Sequence, residues 1–157
     1  MKYIKFLLLS FVAVVAMSCE PNLDQALEVQ RFPEAAFYRG ELTQRVGEEQ
    51  TTLFVHVELH ALTEGGYLLS IGEEGTNIQH EPQAILFRRL DGELNQGKVS
   101  LVAEDVVGNI NLAEHTFTSL NAELTADRAV ITLDFGDDKV WLCDIPAEEF
   151  LLMYCES

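Results

Sequence analysis

Thr51 to Ala61 reads TTLFVHVELHA. Leu53, Val55, Val57, Leu59 and Ala61 alternate with Phe54, His56, Glu58 and His60. A period of two puts alternate side chains on opposite faces of an extended chain. One face is apolar and the other largely polar, as expected of a strand with one side against a core. The same alternation recurs outward in both directions. Upstream, Phe37 to Val46 is strand-like, with Gly40 expected as a bulge and Gly47 to Gln50 as a turn. Downstream, Gly65-Gly66 turns the chain into Tyr67 to Ile71. Gly72 to Pro82 is polar and irregular, the longest expected loop, and Ala84 to Leu90 returns to strand.

Asp91-Gly92 and Gln96-Gly97 punctuate the chain before Lys98 to Ala103. In Glu104 to Glu114 the period is ambiguous, with Gly108-Asn109 as the expected turn. His115 to Leu124, Arg128 to Phe135, Val140 to Ile145 and Phe150 to Cys155 follow as further strands. No helical pattern of 10–15 residues intervenes, which excludes βαβ units. The expectation is an all-β antiparallel barrel or sandwich of about eight short strands. Short, sequential hairpin connections favour the barrel.

The chain has 157 residues, which suits a single domain. Apolar residues make up 48%, enough to build a core despite a net charge of −16. That charge, without a basic stripe, argues against nucleic acid as a partner. Walker, dinucleotide and HExxH motifs are absent, so the expectation is a non-enzymatic protein.

The N-terminus is an address. Lys2 and Lys5 precede an apolar run from Phe6 to Ala16, interrupted by Ser10. The run is too short for a permanent span, and Ala16 and Ser18 suit a cleavage site. Ala16-Met17-Ser18-Cys19 resembles the lipobox of bacterial lipoproteins. Ser18 and Cys19 match the pattern, Ala16 is a permitted substitute for leucine, and Met17 departs from it. The resemblance covers the signal and anchor only. It implies cleavage before Cys19, a diacylglyceryl thioether on its sulfur, and a lipid-anchored protein of the cell envelope. In a Gram-negative cell that means the outer membrane or cell surface. Ordinary secretion with cleavage at the same bond is the alternative. The expected organisation is 1–18 signal peptide, 19–34 lipidated cysteine and tether, and 35–157 a single β-domain.

Three cysteines are an awkward number in an exported protein. Lipidation of Cys19 leaves Cys143 and Cys155, which are expected to pair in an oxidising compartment. A loop of that size adds roughly 3 kcal/mol in the chain-entropy model.

One constellation has ligand chemistry. On a strand, His56, Glu58 and His60 share a face, and imidazole and carboxylate suit zinc or another divalent metal. Same-face neighbours lie about 6.6–7 Å apart, so one ion on all three needs a twist or bulge. His80 and His115 are candidate additional ligands. The stretch also resembles the first cupin motif, with Glu58 in the place of its second histidine, but no cupin activity is carried over. The plainer expectation is a polar outer strand face. Asp134, Asp137 and Asp138 around Gly136, and Glu73, Glu74 and Glu81, have oxygen ligands that suit Ca²⁺, but the EF-hand spacing is absent and a turn and a loop are the plainer expectation. Arg88-Arg89, the only basic doublet, is expected to split between opposite faces and pair with nearby carboxylates.

Two functions follow as expectations. The first is a membrane-anchored binding or structural module, for which a filled barrel favours a protein partner and a hollow one a small apolar ligand. The second is a divalent-metal-binding protein using His56, Glu58 and His60.

Overall fold

The computed structural model describes residues 32–75 and 81–148. The strands are β1 (Ala35–Val46), β2 (Glu49–Ala61), β3 (Tyr67–Glu73), β4 (Ala84–Leu90), β5 (Glu93–Asn95), β6 (Lys98–Ile110), β7 (Ala113–Thr125), β8 (Arg128–Gly136) and β9 (Lys139–Pro146). Neighbouring strands are antiparallel, and the order around the sheet follows the chain. β9 returns to β1 through Leu42↔Cys143 to Val46↔Lys139. β4 meets β6 at Ile85↔Ile110 and Leu86↔Asn109, which closes the ring. The fold is thus a closed eight-stranded up-and-down barrel with one extra strand, and not a sandwich. The extra strand, β5, prolongs the direction of β4 and pairs with β6 from Glu93↔Ser100 to Asn95↔Lys98. The expected strand Phe150 to Cys155 lies outside the described residues.

Local chemistry explains the hairpins. Gln96 and Gly97, Asn111 and Leu112, and Asp137 and Asp138 all adopt positive φ. Two consecutive left-handed residues match the right-handed twist of the flanking strands, so they make tight two-residue connections. The turn after β6 is therefore at Asn111-Leu112, three residues beyond the expected Gly108-Asn109. Gly108 instead lies inside the barrel. A Cβ there would sit 2.8 Å from Phe87 Cε1 and 3.1 Å from Phe117 Cε2. Gly108→Ala is therefore expected to destabilise the fold by about 1–3 kcal/mol, because two packed rings must move. A urea denaturation midpoint unchanged from the parent would count against this.

Gly40 is likewise no bulge, since β1 stays in register with β2 across it. A Cβ at Gly40 would lie 2.9 Å from Ile145 Cγ2, so glycine allows a close approach of β9. The true register shifts fall between Tyr67 and Leu69 and between Asp134 and Gly136.

The inward side chains form one apolar core. β2 contributes Val55, Val57 and Leu59, β8 Ala129, Ile131 and Leu133, and β9 Trp141, Cys143 and Ile145. Ala61 is exposed, so the apolar face of β2 ends one position early. A chain of rings crosses the interior, with centroids 5.1 Å apart for Phe87–Phe117, Phe117–Phe135 and Phe135–Trp141. An eight-stranded barrel is just wide enough for side chains to fill it. No polar or charged side chain among the described residues is buried in it.

Polar groups tie strands that are not neighbours in the wall. Tyr38 on β1 donates to the Thr125 carbonyl at the end of β7, at 2.6 Å. Lys139 on β9 donates to Gln83 Oε1, just before β4, at 2.9 Å. Its ammonium lies 4.2 Å from the Phe135 ring centroid and 5.7 Å from that of Trp141. Burial lowers the pKa of Lys139, and the Glu73 charge opposes that shift.

Candidate functional site on the outer wall

β2 alternates as expected. Val57 and Leu59 point inward, and His56, Glu58 and His60 point outward. The three do not converge. His60 Nε2 lies 3.3 Å from Glu58 Oε2, forming one pair. His56 turns away, and its Nδ1 lies 3.5 Å from Glu74 Oε1. The reason is the neighbouring strand. His56 pairs with Gly72 on β3, and the imidazole lies over that glycine where any Cβ would collide with it. On its other side the ring stacks with Phe37 of β1 at 6.0 Å and 17°.

Glu74 is itself engaged. It accepts from Arg39 Nε at 3.0 Å and from the terminal guanidinium nitrogen at 2.7 Å. Its backbone N–H donates to the Phe54 carbonyl at 2.7 Å, which holds the end of β3 against β2. Arg39 also reaches Glu148 at 3.7 Å and lies over the Phe54 ring, 5.4 Å from its centroid. The wall over β1 and β2 thus carries a laced aromatic and charged surface. Phe37, Arg39 and Phe54 were not among the candidates, and Glu74 was named only with the acids of the expected loop. The expected outward alternation was the one available signal for Phe54, and the others depend on register.

His115 stands elsewhere, on β7, half-buried with its ring edge-on to Phe117 at 4.7 Å. Its Nε2 lies 3.4 Å from the Phe135 carbonyl. His80 lies outside the described residues. Among the described residues, no group of three or more His, Cys, Asp or Glu side chains is placed to hold a metal ion. The Asp134 cluster is a turn: Asp134 Oδ1 accepts the Gly136 N–H at 2.8 Å, and Asp137 and Asp138 form the left-handed link.

Among the described residues Cys143 has no disulfide partner; it is buried inside the barrel and opposite Leu42 and Ile131 in register. Burial, aided by the Asp144 charge, pushes its pKa up to about 12. Cys19 and Cys155 lie outside the described residues. The inward direction of Cys143 sets the condition for the expected bond: the sulfur of Cys155 would have to reach inside the wall.

The arginine doublet differs from expectation. Tyr67 pairs with Leu90 and Leu69 with Phe87, so the bulge sets Arg88 and Arg89 together between two inward residues. Both are exposed, and neither holds an ion pair among the described residues. Lys98 pairs with Glu123 at 3.1 Å, Arg128 with Asp144 and Arg39 with Glu74, whereas Arg45 and Lys139 likewise hold no ion pair among the described residues.

Comparison with family models, with curated proteins and with solved structures finds no match for this chain.

Proposed function

We propose that the protein is a lipid-anchored module of the bacterial cell envelope that binds or scaffolds another macromolecule through the outer wall of its barrel. The observation that carries the binding half of this reading is the ring-filled interior. Phe87, Phe117, Phe135 and Trp141 occupy the space that a small ligand would need. Recognition then falls to the outer face, where Phe54, Val102 and Val107 are exposed. The anchoring half rests on Ala16-Met17-Ser18-Cys19 after a basic and then apolar leader. A diacylglyceryl group with a further acyl chain holds firmly, because each buried CH₂ contributes about 0.8 kcal/mol. The acidic surface would be repelled by anionic lipid, so anchoring depends on the acyl chains.

The test is intact mass and fractionation in the native host. The parent is expected to begin at Cys19, to carry acyl mass and to sediment with membranes. Cys19→Ala is expected to lose both the acyl mass and the membrane association. Parent protein that starts at Cys19 without acyl mass would make this a freely secreted domain. The same spectrum, taken with and without reduction, decides the proposed Cys143–Cys155 bond by a difference of two hydrogens.

A further inference from the structure

We propose that Leu112, at the tip of the β6–β7 hairpin, is the apolar anchor of a contact with a partner protein that presents an apolar pocket with a basic rim. The inference rests on the reading of the domain as a binding module and adds to it a contact at one end of the barrel. Anchoring is tested separately at Cys19.

The tip is a two-residue turn, with Asn111 at φ 47° and Leu112 at φ 72°. Asparagine and glycine are the residues such a turn favours. A bulky side chain at positive φ is strained, because its Cβ crowds the following carbonyl. Leu112 gains no packing in return. It is 90% exposed, more than any other large apolar side chain among the described residues. A single exposed leucine is ordinary. One held in a strained conformation, away from the core, points to a contact outside the domain.

The tip is also fixed in place. The Asn111 N–H donates to the Ala84 carbonyl at 2.9 Å, and Asn111 Oδ1 accepts the Ala84 N–H at 2.8 Å. These bonds tie the turn to the start of β4. Asn109 Nδ2 donates to the Leu112 carbonyl at 3.4 Å. The β6–β7 pairs from Val106↔Phe117 to Ile110↔Ala113 lie beyond Ser119↔Asp134, the last pair of β7 with β8. The hairpin thus runs past its ladder with β8, and Leu112 stands at its far end. A side chain presented on a fixed turn loses little freedom when it docks.

Direction and charge select the partner. The antiparallel register through β9, β8 and β7 puts the start of β1 at the other end of the barrel. The chain that bears the proposed anchor therefore enters the domain away from Leu112. Exposed acids share the end that Leu112 occupies. Glu114 lies beside the tip, Asp137 and Asp138 form the next turn, and the Gly47 N–H ties the Glu48-Glu49 turn to the Asp138 carbonyl at 3.0 Å. None of these carboxylates holds an ion pair among the described residues. Of the basic residues at this end, Arg45 is exposed and Lys139 turns inward over Phe135 and Trp141. Such a surround repels an anionic bilayer and attracts a basic rim.

The test places photoreactive p-benzoylphenylalanine at exposed Ala113, with exposed Val102 as the control position, in the full chain in its native host. Irradiation is expected to give an adduct with one other protein at 113 and not at 102, and Leu112→Asn is expected to abolish it. That protein, once purified, is expected to bind the parent. Leu112→Asn is expected to weaken binding at least ten-fold and Glu114→Lys at least three-fold, the latter less at high salt. Leu112→Asn is also expected to keep or raise the urea midpoint, because asparagine accepts positive φ. A lowered midpoint would mean that the leucine serves the fold, and would overturn the proposal. So would an adduct at 113 with lipid or with a second copy of this chain, or unchanged affinity in either variant. Adducts at 102 alone would overturn this contact and leave binding through the wall intact; adducts at neither position would count against both.

Discussion

Phe117→Ala is expected to lower the unfolding free energy by about 3–5 kcal/mol. Phe117 is fully buried and sits at the centre of the ring chain. It touches Phe87 and Phe135, each at 5.1 Å between centroids, and His115 at 4.7 Å. Truncation removes these contacts and leaves a cavity that three strands of a closed wall cannot collapse to fill. A domain of this size has about 5–15 kcal/mol of net stability, so the loss is a large fraction of the whole. Urea denaturation at neutral pH measures it. Phe54→Ala is the comparison, because that ring is 44% exposed and outside the core, and a much smaller loss is expected. Equal losses in the two variants would contradict a ring-filled interior, and with it the argument for outer-wall recognition.

Stability is also expected to fall steeply above pH 9. Two buried neutral groups set the effect. Burial, then Asp144, raises the Cys143 thiol from 9.0 to about 12. Burial, then Asp127, raises the Tyr38 hydroxyl from its ordinary 10.0. In both cases the folded state keeps a proton that the unfolded chain releases. Stability is therefore fully present below the unfolded pKa and is lost as pH rises toward the folded one. Each group contributes up to about 1.4 kcal/mol per pH unit once its unfolded form ionises. The loss begins near pH 9 with Cys143, and Tyr38 joins above pH 10, reaching about 4 kcal/mol by pH 11. Cys143→Val is expected to delay the onset by about one pH unit, read from urea midpoints across pH 7–11. If Cys143 is bonded to Cys155 it has no thiol proton, and the first step appears only after reduction. A parent stability flat to pH 11 under reducing conditions would refute the buried-thiol account.

The strand pattern was legible because each half-buried strand carries its own signature. Leu53, Val55, Val57 and Leu59 needed no partner to declare an inward face. The choice of barrel over sandwich was less direct, since it depends on β4 finding β6 and β9 finding β1. Turn positions were readable where glycine or aspartate stands in them, as at Gln96-Gly97 and Asp137-Asp138. Asn111-Leu112 escaped because leucine is a poor left-handed residue; the turn is fixed by Asn111, whose side chain and N–H bond the backbone of Ala84. Gly108 and Gly40 were read as backbone signals, yet each is glycine because a neighbour's side chain occupies the space of its Cβ.

The candidate ligands show the same division. That His56, Glu58 and His60 face outward follows from alternation alone, which is local backbone geometry. That His56 lies over Gly72 toward Glu74 while His60 turns to Glu58 follows from the β2–β3 register. The bulge that sets Arg88 beside Arg89 is likewise a mismatch between two strands. The amino-acid sequence by itself determined the all-β class and the inward face of the regularly alternating strands such as β2 and β8, because periodicity is a property of neighbours along the chain. Tertiary structure alone decided barrel closure, the separation of the histidines and the shared face of Arg88 and Arg89, because each depends on which strand lies alongside and in what register.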